Sequence, residues 1–456
     1  MEDPPFLLLL LLTAVPLVLA RCYTNLSKKK NLLPQHNHNL LSKPMPFESI
    51  GIVGAGAIGT CCGLSLSRMT NLKRVVLVGR KSLVTAVETN NGQLRLLDKT
   101  QQPQQGMIVQ NFAVHICNSL ATTRIPLLQD NSKFVAVTEN LDDLVTFQCS
   151  VIIVASKATA TETIAKRLAK VLPLDSNATI VSFQNGIRNA DILREALQNH
   201  KNVMVLSSMV SFSAGWKSGT NLFSKTSDGS LEIQRPTAKS MPLQSTTKQN
   251  NVQVHAARMD SLAAALTTTV IPTTVVADVL PAQNSKLLIN LFNAVNALAG
   301  ISTPATMEKA GYRKVWAAAI SEGLAVYSKL GMSIGTYRGL SPKLLPLMKV
   351  LPEMAFKLVF RIVAKVDYDS SKSSMLQDME RGRTETEVDF LCGEIVQLGK
   401  KANVPTPVNE ALVRLVTAAQ TAGKGSPQIA PDKLVVLVGL EKPSPQQESA
   451  GVKTMD

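Results

Sequence analysis

The chain has 456 residues, of which 45% are hydrophobic, 18% charged and only 4% aromatic. That length allows two or three domains with a sizeable core, filled mainly by Leu, Val, Ile, Ala and Met. The formal net charge of +15 admits nucleic acid, an acidic membrane surface or an anionic cofactor as partner.

Nucleic acid is set aside. The basic residues are spread along the chain, and the tightest cluster is the three lysines at 28–30. No zinc-finger spacing or RNP-like aromatic motif accompanies them. Cysteines stand at 22, 61, 62, 117, 149 and 392, with no CxxC pair. Cys61 and Cys62 are adjacent in an expected helix, a poor geometry for a disulfide. Free thiols in a reducing compartment are the plain reading. His36 and His38 lie near the N-terminus, and His115, His200 and His255 are isolated, so no metal site is expected.

Residues 6–20 form an apolar, Leu-rich run, short of the roughly 20 residues a transmembrane helix needs. The run has the length of a signal-peptide core, and Val18-Leu19-Ala20 would fit before a cleavage point. Glu2 and Asp3 precede it, without a basic flank. Three readings stand: cleaved signal, uncleaved anchor, or the start of an organelle leader. Secretory-pathway or organelle targeting is the expectation, with the cytoplasm as the alternative. Residues 21–47 read as a flexible linker, so 1–47 is treated as leader and linker.

From Glu48 onward, strand-like and helix-like segments alternate. Ile50-Gly51-Ile52-Val53 reads as a strand, 57–69 as a helix and Val75-Val76-Leu77-Val78 as a second strand. Val151-Ile152-Ile153-Val154 and 179–183 are two more short apolar runs, with helical periodicity over 161–172 between them. Buried short strands separated by helices indicate a parallel α/β sheet. Residues 203–213 and 230–234 read as further strands, and 235–256 as a polar inserted surface loop. After 281 the strand signals nearly stop, and apolar-periodic helices run to about 423. The expected fold is therefore α/β: an N-terminal Rossmann-type parallel-sheet domain over 48–280, then an all-α domain over 281–425. Residues 426–456 read as a mixed tail, disordered at its end.

Gly54-Ala55-Gly56-Ala57-Ile58-Gly59 is a GxGxxG run placed after a strand and before a helix. Gly54 permits the tight turn, Gly56 lets backbone approach a pyrophosphate, and Gly59 lets helix pack on strand. The helix N-terminus then offers its N–H groups to the phosphates. A chance Gly-rich turn is the bland alternative. An acidic residue at the end of the second strand would bind the ribose 2′-hydroxyl of NAD. This chain has Gly79-Arg80-Lys81 there, and a guanidinium suits a 2′-phosphate. NADPH is expected, the alternative being that Arg80 and Lys81 are solvated loop charges.

Lys286, Asn290 and Asn293 stand at i, i+4 and i+7 amid Leu287, Leu288, Ile289, Leu291 and Phe292, on one face of a helix. Such a stripe is too polar for a core face and too apolar in its surroundings for an exposed one. A partly wetted helix edge is the other reading.

With these motifs the sequence resembles the ketopantoate reductase family over about 48–415. The residues carrying the resemblance are the glycine run at 54–59, Lys157 after Val154-Ala155-Ser156, and Gln184-Asn185-Gly186. The helix at Lys286, Ser373-Ser374-Met375-Leu376-Gln377-Asp378, Arg381-Gly382-Arg383, Thr386-Glu387-Val388-Asp389 and Val404-Pro405-Thr406-Pro407-Val408-Asn409 complete them. The resemblance implies Lys286 as general acid, Asn290 as a substrate ligand and Ser374 at a substrate carboxylate. It implies Glu387 holding a substrate hydroxyl in support of catalysis, and Lys157 and Asn185 at the cofactor side, Asn185 also within reach of substrate. The implied reaction is NADPH-dependent reduction of 2-dehydropantoate, a 2-oxo acid, in a cleft between two domains. A related 2-oxo acid reductase, a non-catalytic NADP-binding sensor and a 6-phosphogluconate-type dehydrogenase are the alternatives, and a homodimer is left open.

The chain departs from the family pattern in places. Two residues, Thr384 and Glu385, separate Arg383 from the TEVD run where one is usual, which leaves Glu385 as an alternative to Glu387. The second family asparagine often falls eight residues after the lysine. Ala294 stands there, with Asn293 and Asn296 beside it. The leader and the 235–256 insertion also lie outside the common pattern.

Overall fold

The computed structural model describes residues 45–98, 109–117, 133–217, 219–237, 240, 248–269, 271–337, 341–350, 353 and 371–442. The apolar leader and nearly all of the linker lie outside the described residues, as does the end of the tail. Contacts divide the chain at Val279/Leu280 into a sheet unit and a helical unit.

The sheet unit begins with β1 (Ser49–Val53), α1 (Ala57–Leu66), β2 (Arg74–Val78) and α2 (Lys81–Glu88). Next come β3 (Gln93–Asp98), β4 (Val109–Ile116), β5 (Phe134–Thr138), β6 (Val151–Val154), α3 (Thr161–Val171) and β7 (Thr179–Ser182). The unit continues with α4 (Asn189–Ala196), β8 (Met204–Val210), β9 (Ala214–Trp216) and β10 (Leu222–Lys225). It ends with β11 (Leu231–Gln234), α5 (Lys248–Thr268) and β12 (Thr273–Val276).

Twelve strands form one sheet in the order β12-β11-β8-β7-β6-β1-β2-β5-β4-β3-β10-β9. From β8 to β4 all neighbours are parallel. Every residue of β1, β2, β5, β6, β7 and β8 is buried. Such strands need mostly apolar residues on both faces, which is why β1, β2 and β6 read as short Val/Ile/Leu-rich runs. β1 is the centre: the chain moves one way to β2 and the other way to β6, and this reversal opens a crevice at the strand ends. The expectation of a parallel sheet holds for these central strands. Toward the edges the sheet is mixed, since β3 with β4, β9 with β10 and β8 with β11 run antiparallel.

α1 packs on β1 and β2 and also against β9 and β10. It has no solvent stripe, and its residues from Gly59 to Leu66 are all buried. Gly63 makes the fit: a Cβ there would lie 2.5 Å from Leu77 Cδ2. The described cysteines, Cys61, Cys62, Cys117, Cys149 and Cys392, are all buried. Burial pushes the Cys62 thiol up to about 12.

The inserted-loop reading of 235–256 is corrected only from Lys248 on, where α5 is helical, while 238–239 and 241–247 lie outside the described residues. His255 is fully buried and shares a 2.7 Å hydrogen bond from Nδ1 with Thr179 Oγ1. Arg258 donates to the Asn177 carbonyl and, at 3.3 Å, to Thr179 Oγ1. Two residues that look polar in sequence thus fasten α5 to the start of β7.

The helical unit contains α6 (Leu280–Asn290), α7 (Phe292–Ala299), α8 (Thr303–Glu308) and α9 (Ala310–Lys329). After these come α10 (Ser374–Glu380), α11 (Cys392–Ala402), α12 (Pro407–Ala422) and α13 (Pro431–Leu437). α9 is the central post, packed by α6, α7, α11, α12 and α13. At Gly323 a Cβ would lie 2.4 Å from Leu288 Cδ2 and 3.3 Å from Ile395 Cδ1, so this glycine lets α6 and α11 approach α9. The unit runs past 425. Ile429 donates its N–H to Leu298 O at 2.9 Å and accepts from Tyr312 Oη at 2.7 Å, and Leu434 is fully buried. The first part of the expected tail is therefore docked helix.

Candidate active site

The glycine run lies where β1 meets α1. The Gly54 and Ala55 N–H groups both donate to Val78 O at 3.0 Å, tying the turn to the end of β2. Gly54 has φ +85°, in the left-handed region, and a Cβ on it would lie 2.4 Å from Ser156 N. Only glycine fits there. At Gly59 a Cβ would lie 2.7 Å from Gly54 O, so the helix seats directly on the turn. Gly56 differs. Its φ is −83°, and a Cβ would meet only Gly54 O, at 4.0 Å. No protein atom requires a glycine at 56, which leaves that space for a group brought in from outside.

α1 starts at Ala57, after an N-cap at Gly56 that supplies no side-chain hydrogen bond, and its first turn holds no acidic residue. An N-terminus left in this state favours an anion through its N–H groups and dipole. These features fit a dinucleotide pyrophosphate on Gly54, Ala55, Gly56, Ala57, Ile58 and Gly59. Arg80 follows the end of β2 as the exposed N-cap of α2, in extended conformation. A guanidinium exposed at this place suits a 2′-phosphate.

Lys157 and Asn185 follow the ends of β6 and β7, and both are half-buried. Gly186 beside Asn185 has φ +92°, which makes the sharp exit from β7. Gln184 is buried beneath this corner. It hydrogen-bonds Ser156 Oγ at 3.1 Å and Thr161 Oγ1 at 2.8 Å, and accepts from Ser182 Oγ at 3.0 Å. Sequence reading noted Gln184 only as part of a motif and passed over Thr161, Ser182 and Asn189. Their signal was the placement of small polar residues just beyond apolar strands.

In the helical unit, α6 starts at Leu280 and Lys286 sits in its second half. At Leu291, where α6 gives way to α7, the backbone stays helical and the N–H is shared between Leu287 O at 3.2 Å and Leu288 O at 3.4 Å. Lys286 and Asn290 remain one turn apart, with Asn293 beyond Leu291 on α7. All three are half-buried, whereas Leu287, Leu288, Leu291, Phe292 and Ala294 are buried. Together with the half-buried Ile289, the three form a partly exposed stripe beside these packed residues.

Asn296, the other asparagine beside Ala294, belongs to the interior. Its Nδ2 donates to Ile301 O and Thr306 Oγ1, each at 2.9 Å, and its Oδ1 accepts from Ser373 N at 3.0 Å. Ser373 caps α10, and its Oγ lies 3.5 Å from Asn293 O. Asn296 therefore anchors the start of α10, bringing the half-buried Ser374 near Asn293. Asp378 is buried and accepts from Arg383 Nη1 at 2.7 Å, which fixes the loop leading to Glu387.

Glu387 and Glu385 separate clearly. Glu387 begins a 3-10 turn (Glu387–Phe390) and is 5% exposed, while Glu385 faces solvent. The Pro407–Asn409 part of the last motif is structural. Glu322 on α9 accepts from Val408 N at 2.8 Å, Asn409 N at 3.0 Å and Asn409 Nδ2 at 2.8 Å, capping α12. Burial raises the Glu322 pKa, and these three hydrogen bonds oppose the rise. An open groove between α11 and α12, lined by Val396, Lys400, Val413 and Arg414 among others, includes none of the expected site residues. Among the described residues, no group of three or more His, Cys, Asp or Glu side chains could hold a metal.

Comparison with known proteins agrees with this geometry. The model of ketopantoate reductase PanE/ApbA matches residues 50–237, and the model of its C-terminal part matches residues 278–420. A 2-dehydropantoate 2-reductase of Halobacterium salinarum is 26% identical over 283 residues, covering 62% of this chain and 80% of that protein. One of Mesorhizobium japonicum is 32% identical over 134 residues, covering 29% and 34%. Among solved structures, a ketopantoate reductase from Ralstonia eutropha has TM-score 0.59 and 22% identity, covering 82% of this chain and 99% of that one. D-mandelate dehydrogenase with NADH and anilino(oxo)acetate has TM-score 0.57 and 18% identity, covering 83% and 100%. At such identities the structural likeness carries the fold, and the two family models together span most of the sequence. With the glycine turn on one unit and the lysine stripe on the other accounted for, the chain belongs to the ketopantoate reductase family.

Proposed function

We propose that the chain reduces 2-dehydropantoate to (R)-pantoate with NADPH, a step toward pantothenate and coenzyme A. The coarser activity follows from the family: the chain is an NADP-dependent oxidoreductase of the ketopantoate reductase type, acting on 2-oxo acids. The observation that carries the finer reading is the half-buried stripe of Lys286, Asn290 and Asn293 on a packed helix.

The bound nicotinamide supplies the hydride. Reduction of a ketone leaves an alkoxide that needs a proton, and the Lys286 ammonium provides it while stabilising the developing charge. Asn290 and Asn293 offer amides to substrate oxygens. Ser374 provides a hydroxyl for the carboxylate, and Glu387 holds a substrate hydroxyl. In the sheet unit, Arg80 favours the 2′-phosphate, and Lys157 and Asn185 serve the cofactor side, Asn185 also reaching substrate.

Purified full-length protein should consume NADPH on addition of 2-dehydropantoate, followed by the fall in NADPH absorbance. Turnover of other 2-oxo acids alone would assign it a different substrate. That second reading has its own support, because Ala294 stands where the family often has asparagine and Asn296 is locked in the interior. Tight NADPH binding without turnover of any 2-oxo acid would make it a sensor.

A homodimer is proposed as the assembly, since a ketopantoate reductase of Staphylococcus aureus with this fold is dimeric. Sedimentation velocity tests that. The apolar run at 6–20 is proposed as a targeting segment, tested by the location of a fluorescent fusion of residues 1–47.

A further inference from the structure

We infer that Gln184, Thr161 and Asn189 form a positioning ring that holds the cofactor-side corner of the sheet unit in shape. This rests on the NADPH-binding reading above. Asn185 O can only accept, and Asn189 Nδ2 donates to it at 2.6 Å. Asn189 Oδ1 is therefore turned toward Thr161, whose hydroxyl donates to it at 2.8 Å. With its proton committed, Thr161 Oγ1 accepts from Gln184 Nε2 at 2.8 Å. That fixes Gln184 Oε1 toward the Ser182 hydroxyl at 3.0 Å. The remaining Nε2 proton points to Ser156 Oγ at 3.1 Å, with the Lys157 carbonyl at 3.4 Å.

The bonds close a loop in the covalent chain, because Gln184 and Asn185 are adjacent. Each polarity in the loop is dictated by one carbonyl. Thr161 is fully buried, Asn189 is 2% exposed and Gln184 5%. In such a setting each unmade bond leaves a desolvated group without compensation.

The ring bears on the cofactor in two ways. It grips the carbonyls of Lys157 and Asn185. It also fixes Ser156, whose backbone N stands where a Gly54 Cβ would come within 2.4 Å. Movement of Ser156 is therefore movement of the wall behind the phosphate turn. None of the three side chains is assigned to the substrate or to the reacting atoms, so they are positioning residues.

The test uses the full-length protein and NADPH alone, titrated by cofactor fluorescence, with thermal unfolding measured in parallel. Thr161→Val keeps the shape but deletes the relay, whereas Thr161→Ser keeps the hydroxyl. Gln184→Glu replaces the donor facing Thr161 by an acceptor. Thr161→Val and Gln184→Glu are each expected to raise the NADPH Kd by about tenfold, and Thr161→Ser to stay within about twofold, on the scale of one buried hydrogen bond. Unchanged Kd in Thr161→Val overturns the inference. So does a lowered Tm in that variant without a binding defect, or failure to fold, since either makes the ring purely structural. The wild-type protein separates this from the substrate reading: binding of NADPH without turnover of 2-oxo acids sinks the latter while the variants still decide the former.

Discussion

Adding one methyl group at Gly59 or at Gly56 should have different consequences, although the two lie in the same turn. A Gly59→Ala Cβ falls 2.7 Å from Gly54 O, 3.0 Å from Ile52 Cγ2 and 3.2 Å from Ala155 Cβ. None of these is the end of a flexible side chain, so α1 must back away from β1. Overpacking of this kind costs about 1–3 kcal/mol. In a unit of this size that lowers Tm by roughly 2–4 °C per kcal/mol. A Gly56→Ala Cβ meets nothing nearer than 4.0 Å, and φ −83° suits alanine. Its effect on stability should stay within about 1 kcal/mol. If the pyrophosphate rests on Gly56, that methyl occupies its place, and the NADPH Kd should rise at least about tenfold. Thermal unfolding without cofactor, then fluorescence titration with NADPH, separates the two effects. Wild-type affinity in Gly56→Ala would refute the cofactor placement, and wild-type Tm in Gly59→Ala would refute the packing argument.

Lys286→Met keeps most of the side-chain volume and should lower kcat by at least about a hundredfold, with little change in NADPH Kd. Near-normal kcat would move suspicion to Lys157. Arg80→Asp should weaken NADPH far more than NADH in paired titrations, because it puts repulsion at one phosphate, and equal loss for both would leave Arg80 a structural residue. Burial, reinforced by the Arg258 charge, lowers the His255 pKa from 6.5 to about 4. The unfolded chain therefore binds the proton more tightly, and His255 contributes stability that is complete above pH 6.5 and is lost as pH falls toward 4. That share is up to about 3 kcal/mol. His255→Gln should flatten this part of the profile in urea titrations across the window, and an unchanged profile would show that other groups govern it.

The centre of the sheet is legible because β1, β2, β6 and β7 are buried on both faces, and their polar residues Ser49, Arg74, Thr179 and Ser182 stand only at strand ends. The edges are not. β3 and β4 carry polar residues such as Gln93, Arg95, Gln110 and Asn111, and β3 finds its neighbour β10 far along the chain. The first turns of α5 are illegible because they are polar and lack apolar periodicity, and His255 and Arg258 further along look like surface residues. Only their partners Thr179 and Asn177, distant in sequence, make burial tolerable. The same limit applies to the stripe. Sequence spacing places Asn293 and Asn296 almost side by side, yet Ser373, Ile301 and Thr306 consume Asn296, while Asn293 keeps some exposure. Glu385 and Glu387 are alike as letters and separate only when the 3-10 turn buries the second.

The five buried thiols among the described residues give the molecule a set of internal clocks. A buried sulfur with its pKa pushed to about 12, as at Cys62 and Cys392, holds almost no thiolate at neutral pH. A soluble alkylating reagent can then reach it only when the surrounding structure opens. Cys61, Cys62, Cys117 and Cys149 keep time for the sheet unit, and Cys392 for the helical unit. Mass-resolved labelling over hours would thus read the opening of each unit separately, with no residue replaced and no probe attached beforehand.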